Sequence, residues 1–178
     1  RRASMAHIRG RPQNRRQNRA LAARMTDGLD RVDRQILRIL QREGRIPNVE
    51  LAERVGLSPT ATGERLRRLQ KDGVITGFGA RLDPQRLGLS LLVFVEVSLD
   101  KTTPDAFARF AAAVRRAPEV LECHMVGGGF DYLVKARVAD MPAYRRFLGE
   151  GLLALPGVNN TRTYAVMEEV KSDGVLPL

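Results

Sequence analysis

The sequence predicts an α+β chain of two units, an N-terminal winged helix-turn-helix and a C-terminal ferredoxin-like βαββαβ domain. Three short amphipathic segments separated by glycine-containing turns, between residues 29 and 73, predict the first unit. A β-α-β-β-α-β order of apolar segments after residue 90 predicts the second. With 178 residues, of which 43% are hydrophobic, the chain can fill two small cores.

The first predicted helix covers Leu29 to Leu40, where apolar residues recur every three or four positions, and it ends before Gly44. Asn48 is predicted to cap a second helix, Val49 to Val55. Gly56 is predicted to end that helix, because glycine adopts the left-handed conformation at little cost.

A third helix is predicted to begin at once, with Ser58 as its cap and Pro59 at its first position, where the missing N–H is not needed. Leu66 and Leu69 are expected to face inward. The short Gly-containing turn between the second and third helices is typical of a helix-turn-helix. The β-prone segment VITGFGARL, residues 74–82, predicts a hairpin or an extended wing beside the third helix.

The second unit begins with a strand at Leu91–Leu99, whose second face is partly apolar at Leu92 and Phe94. The elements predicted after it are a helix at 106–114, strands at 120–126 and 130–138, a helix at 144–155 and a last strand at 161–170. The predicted domain organisation is a tail at 1–24, the winged helix-turn-helix at 25–80, a linker at 81–90 and the ferredoxin-like domain at 91–178.

The net charge of +10 is concentrated at the start of the chain, because residues 1–24 contain eight Arg and no Asp or Glu. This segment is predicted to be disordered. It is either an expression-vector remnant or upstream translated sequence, with Met25 as the natural start, or a basic arm that adds non-specific DNA affinity.

No apolar run reaches the roughly 18 residues of a membrane helix. Cys123 is the only cysteine and lies among apolar residues, where a thiol usually packs as a small hydrophobe. No catalytic triad, metal-binding or nucleotide-binding motif is present in the sequence. We therefore expect a cytoplasmic, nucleoid-associated protein without enzyme activity, metal or cofactor.

The basic third helix has two interpretations, a solvated face or a DNA-binding surface. In a helix-turn-helix the N-terminal half of this helix enters the major groove, which favours double-stranded DNA as a partner. The residues predicted to reach base edges and nearby phosphates are Ser58, Thr60, Thr62, Glu64 and Arg65, with Asn48 from the preceding helix. Those predicted to bind phosphate are Arg67, Arg68 and Lys71. Alternatively, Arg68 pairs with Glu64 one turn away.

The glycine run in the second unit also has two interpretations. A tight β-hairpin would explain Gly127, Gly128 and Gly129 without any function. Alternatively, backbone without side chains lets a small ligand approach, with N–H groups binding its carboxylate and Asp131 binding its amino group.

Two long segments resemble a known family. LDRVDRQILRILQREGRIPNVELAERVGLSPTATGERLRRLQKDGVITGF resembles the DNA-binding domain of the Lrp/AsnC, or feast/famine, transcription regulators. LLVFVEVSL and ECHMVGGGFDYLVKARVADMPAYRRFLGEGLLALPGVNNTRTYAVMEEVK resemble their amino-acid-sensing RAM domain. The resemblance covers about Leu29 to Lys171, and it implies that the helix from Pro59 is the recognition helix.

The resemblance further implies a homodimer formed through the RAM sheets, which assembles into higher oligomers, often octamers. The effector, leucine or another branched-chain amino acid, is expected to bind between dimers at the loop Gly127–Tyr132. The resemblance adds Met125, Met141 and Tyr164 as wall residues, with Tyr164 contributed by an adjacent subunit. The alternative is an effector-independent protein that organises the nucleoid.

The sequence departs from the family pattern at two places. Gly63 stands where relatives carry a larger apolar residue, and we expect a gap beneath the recognition helix there. The loop reads Gly-Gly-Gly-Phe-Asp-Tyr and lacks the first acidic residue that many relatives have, although Asp131 and Tyr132 are present.

Overall fold

The computed structural model describes residues 28–178, so the predicted basic tail and Met25 lie outside the described residues. The chain divides into two compact units. One unit extends to Ala80 and also contains Asp173–Leu178, and the other comprises Arg81–Ser172.

Three helices form the first unit, α1 Arg31–Leu40, α2 Asn48–Val55 and α3 Pro59–Lys71. Their core consists of five buried residues, Ile36, Leu37, Leu51, Val55 and Leu69. Gly56 ends α2 with a φ of 69°, and Gly73 follows α3 with a φ of 72°. As predicted, the Ser58 side chain caps α3 by accepting the Ala61 N–H, and Pro59 is the first helical residue.

One prediction for this unit was wrong. Asn48 is the first residue of α2, and the N-cap position belongs to Pro47, which has no side chain that can accept a hydrogen bond. For residues 74–82 the sequence predicted a hairpin or an extended wing, and of these the hairpin is not formed, since the segment contains no strand. This segment contains two glycines and exposes Phe78 and Leu82, so it lacks the buried face that specifies strand pairing.

The second unit is a four-stranded sheet with helices on one face. In chain order its elements are β1 Leu91–Leu99, α4 Pro104–Val114, β2 Val120–Met125, β3 Tyr132–Val138, α5 Met141–Arg146 and β4 Val158–Ala165. A π-helical segment, Phe147–Leu152, continues α5. The strand order is β2-β3-β1-β4 and every neighbouring pair is antiparallel, which confirms the ferredoxin-like prediction.

The core of this unit lies between the sheet and its helices. Alternate residues of β1, namely Val93, Val95, Val97 and Leu99, are buried on the helix side. Aromatic side chains from the helices complete this core, and Phe110 of α4 is fully buried. The opposite, open face of the sheet carries Phe94 and Glu96 on β1.

The last strand differs from its predicted position at 161–170. It begins at Val158 and ends at Ala165, because its partner β1 begins at Leu91 and offers little further backbone to pair with. One more hydrogen bond joins the Val166 N–H to the Leu92 carbonyl at 3.0 Å. After this hydrogen bond the strand pairing ends, and Met167 and Val170 are exposed. Leu92, whose carbonyl accepts the bond, is only 5% exposed.

Candidate functional site

Helix α3, the predicted recognition helix, presents one face to the core and another to solvent. Thr62 and Leu69 lie on the inner face and are buried. Four exposed residues spaced by four, three and four positions form the opposite surface, which we call the outer stripe: Thr60, Glu64, Arg67 and Lys71. Thr62 was predicted to contact DNA, but it has no exposed surface, because its position falls on the core side of the helix.

Arg65 and Arg68 of α3 pair with two acidic residues at the start of α1. Both Arg65 and Arg68 bind Asp33, through Oδ1 at 2.9 Å and Oδ2 at 2.5 Å respectively. Arg65 also binds Asp30 at 2.5 Å. We call these four residues the acidic clamp. The predicted pair of Arg68 with Glu64 is not formed, because Asp33 takes the Arg68 guanidinium instead.

The same two carboxylates cap α1. Asp30 accepts the Asp33 N–H at 2.8 Å, and Asp33 accepts the Asp30 N–H at 3.2 Å, a reciprocal capping box. The Asp33 N–H, and then Arg65, lower the pKa of Asp30, while hydrogen bonds to Asp30 and then Asp33 raise the pKa of Arg65. Our sequence reasoning did not find this cluster. The acidic spacing in LDRVD signals the cap, but the partners on α3 are more than 30 residues away.

Asn48 and Gly63 meet between α2 and α3. The Asn48 amide donates to the Pro59 carbonyl at 2.8 Å and so joins the first turns of the two helices. A Cβ at Gly63 would lie 3.8 Å from the Asn48 Nδ2, an ordinary van der Waals distance. Asn48 therefore occupies the space where we expected a gap, and its side chain is already engaged within the unit.

The connection between β2 and β3, residues 126–131, is the glycine loop. Gly127, Gly128 and Gly129 all have negative φ. A Cβ added at any of the three would meet no atom within 4 Å. Neither backbone conformation nor packing within residues 28–178 therefore requires glycine there, and with six residues the connection is too long for a two-residue hairpin turn.

Asp131 closes the glycine loop. Its N–H donates to the Val97 carbonyl, and its carbonyl accepts the Val126 N–H, both at 3.0 Å. Its Oδ2 accepts the Leu99 N–H at 2.8 Å, where the register of β1 and β4 shifts. Its Oδ1 has no hydrogen-bond partner among residues 28–178, so the carboxylate is held in place with one oxygen available.

One predicted wall residue, Met125, lies beside the loop at the end of β2, and Tyr132, predicted as part of the loop, is the first residue of β3. Met125 is 57% exposed and, with Tyr132, lines a groove of about 480 Å³ between α4 and β2. The Tyr132 ring is buried against Phe110, with ring centres 4.4 Å apart, and burial raises the pKa of its hydroxyl. Tyr132 therefore contributes mainly a wall of the groove.

The other two predicted wall residues lie elsewhere in the unit. Met141 follows the opposite end of β3, which at about 3.3 Å per residue lies roughly 20 Å from the glycine loop. Tyr164 lies on the open face of the sheet, where its hydroxyl donates to Glu96 at 2.9 Å and the Arg162 guanidinium lies 5.5 Å from its ring centre. One copy of the chain does not bring Met141, Tyr164 and the glycine loop together.

Comparisons with known proteins agree with this two-unit architecture. Residues 29–76 match the model of a winged helix-turn-helix DNA-binding domain, and residues 92–176 match the Lrp/AsnC ligand binding domain. Over 148 residues the chain is 60% identical to the leucine-responsive regulatory proteins of Escherichia coli K12 and Salmonella typhimurium, covering 83% of this chain and 90% of each relative. The chain belongs to the Lrp/AsnC family. It is a DNA-binding transcriptional regulator with a ligand-binding domain.

Solved structures of this family share the fold. A Neisseria meningitidis transcriptional regulator in complex with L-methionine is 41% identical, with a TM-score of 0.80 over 84% of this chain and 96% of that one. An AsnC family regulator from Agrobacterium tumefaciens is 34% identical, with a TM-score of 0.80 over 84% of this chain and 97% of that one. In the part of the chain that the structure describes, no helix is long and apolar enough to cross a membrane.

Proposed function

We propose that this Lrp/AsnC regulator senses an amino acid at the glycine loop and binds operator DNA through the recognition helix α3. The observation that carries the proposal is the loop itself. Three consecutive glycines have no conformational or steric role within the described chain. This supports a loop that lacks side chains so that a ligand can approach its backbone. Backbone N–H groups there would donate hydrogen bonds to the carboxylate of the ligand, and the available oxygen of Asp131 would accept one from its ammonium group.

The proposed effector is leucine or another branched-chain amino acid. The relatives at 60% identity are named leucine-responsive, and the Neisseria structure contains L-methionine, so aliphatic amino acids of similar size are favoured. The groove beside the loop, with Met125 and Tyr132 in its lining, offers apolar surface for such a side chain.

The proposed active form is a homodimer that assembles into a higher oligomer, an octamer being our expectation. The dimer is expected to form through the open sheet face, where Phe94 offers some apolar surface. Leu92 is already buried within the single chain, and charged pairs such as Glu122 with Lys135 lie on much of the remaining face. The separation of Met141 and Tyr164 from the glycine loop supports an effector site that several copies complete. Effector binding would then shift the oligomer equilibrium, and DNA binding would change effector affinity reciprocally.

On the DNA side, the proposed contacts are Ser58 and the outer stripe. Thr60 and Glu64 lie nearest the N-terminus of α3 and would face base edges, while Arg67 and Lys71 would bind phosphate. We further propose a cytoplasmic, nucleoid-associated location and a regulatory rather than enzymatic role, without metal or cofactor. The known regulators of this family support that role.

Calorimetric titration of the full chain with a panel of free amino acids, leucine first and methionine included, tests the sensor. The informative variant is Asp131→Asn, which keeps an acceptor for the Leu99 N–H and removes the charge. Glu150→Gln, at an exposed carboxylate of the π-helical segment, is the matched control.

We expect saturable binding of one or a few aliphatic amino acids by the original chain and by the control, and at least about tenfold weaker binding by Asp131→Asn. A tenfold loss corresponds to about 1.4 kcal/mol. Binding of no amino acid by the folded oligomer would contradict the proposal and favour an effector-independent organiser of the nucleoid.

A further inference from the structure

Two of the four basic side chains of α3, Arg65 and Arg68, belong to the acidic clamp. Asp33 is fully buried, and its two carboxylate oxygens receive Arg65 and Arg68 from successive turns of the helix. The Arg68 side chain is 47% exposed, so this ion pair extends from the core to the surface of the recognition helix. α1 and α3 are therefore joined by a buried charge as well as by apolar packing.

This pairing restricts what the two arginines can do when the protein meets DNA. An arginine that moved to a phosphate would leave the Asp33 carboxylate buried without one of its partners, and an uncompensated buried charge is strongly unfavourable. Arg67 and Lys71 carry no such cost, since neither has an ion-pair partner among residues 28–178. Phosphate contact is therefore easier for the outer stripe than for the clamp.

We propose that Asp33 is a positioning residue for DNA recognition, which fixes the recognition helix on α1 through Arg65 and Arg68. Phosphate binding by α3 then falls to Arg67 and Lys71. This assignment replaces the base-edge role that the sequence predicted for Arg65 and the phosphate role that it predicted for Arg68. It rests on DNA binding through α3.

The salt dependence of DNA binding distinguishes the two kinds of arginine. Each phosphate contact contributes about 0.9 to the slope of log Kobs against log salt concentration. Binding of the full chain to a random-sequence 30-base-pair duplex would be measured at several salt concentrations for the original chain, Arg68→Gln and the matched control Lys71→Gln. We expect Lys71→Gln to reduce the slope by about 0.9 per DNA-binding unit and Arg68→Gln to leave it unchanged. An equal reduction by Arg68→Gln would overturn the proposal.

A second variant tests positioning itself. Asp33→Asn keeps an acceptor oxygen but loses the charge, which releases Arg68 toward DNA, while Arg65 keeps its ion pair with Asp30. We expect its slope to steepen by about 0.9 per DNA-binding unit. We also expect at least about a tenfold fall in the ratio of affinities for a duplex selected by the original chain and for the random duplex. A folded Asp33→Asn protein with the original slope and ratio would overturn the proposal, because loss of stability alone changes neither.

The clamp can also be tested without DNA, which separates it from the proposed function. Unfolding of Asp33→Asn, Arg68→Gln and the double variant would be measured by denaturant titration. Residues that share one ion-pair network give non-additive changes, and distant independent ones give additive changes. We expect the double variant to lose clearly less stability than the sum of the single variants. Additivity would contradict the clamp, whatever the protein binds.

Discussion

The glycines of the two units differ in what requires them. In the helix-turn-helix, Gly56 and Gly73 have φ values of 69° and 72°, a conformation that other residues adopt only with strain. In the ligand-binding domain, Gly127, Gly128 and Gly129 have ordinary negative φ and open space around each Cα. The first pair serves the fold of its own chain, whereas we propose that the second group serves an interaction beyond it. A sequence shows both as Gly, and only the backbone distinguishes them.

The largest effect on stability should come from Gly56→Ala. Alanine in the left-handed conformation costs about 1–2 kcal/mol, so we expect the free energy of unfolding to fall by that amount. Denaturant titration with circular dichroism detection measures it, and Gly73→Ala serves as a parallel variant with nearly the same φ. Unchanged stability in both variants would remove the contrast between the two groups of glycines.

Gly128→Ala should have the opposite effect, in that it keeps the stability of the fold and weakens effector binding. Alanine fits the negative φ and meets no atom within 4 Å, so the free energy of unfolding should stay the same or rise by up to about 1 kcal/mol. The added methyl group would obstruct a ligand lying against the loop, and we expect roughly tenfold weaker effector binding by calorimetry.

The control for that variant is Gly79→Ala in the first unit, where a Cβ would also meet no atom within 4 Å and φ is not positive. It should leave effector binding unchanged. If Gly128→Ala binds the effector as the original chain does, the bare loop has another purpose than ligand approach.

The smallest effect is expected at Gly63, the one glycine inside the recognition helix. Its Cβ would touch the Asn48 amide at an ordinary distance, so Gly63→Ala should gain the helix preference of alanine, about 0.5–1 kcal/mol. Thermal unfolding measures the gain. A loss instead would indicate that the methyl group displaces Asn48 from the Pro59 carbonyl, and Asn48→Ala would then lose no further stability in that background.

Much of the fold could be predicted because it depends on local signals. Ser58 and Pro59 mark the start of α3, and Gly56 marks the end of α2, through rules that concern a few neighbouring residues. The alternation in β1 likewise predicts which of its residues are buried. The strand order follows from the βαββαβ pattern.

The errors come from information that a local pattern lacks. Asn48 is a good capping residue, but the helix begins one residue earlier and its amide binds α3 instead. Thr62 looks like a polar residue on a DNA-binding helix until the packing of α3 places it inward. The end of β4 depends on where β1 begins, some 70 residues earlier in the chain. The partners of Arg65 and Arg68 could not be read from the spacing within α3.

The arrangement of the outer stripe also bears on how such regulators diverge. Thr60, Glu64, Arg67 and Lys71 are exposed and lie apart from the core, and the clamp holds α3 through other side chains. With the DNA contacts proposed above, substitutions at Thr60 and Glu64 would alter the target sequence while the scaffold stays intact. A duplicated copy of this regulator would then acquire a new set of promoters through a few surface changes, and Thr60 and Glu64 are where an engineer would randomise a library to redirect it.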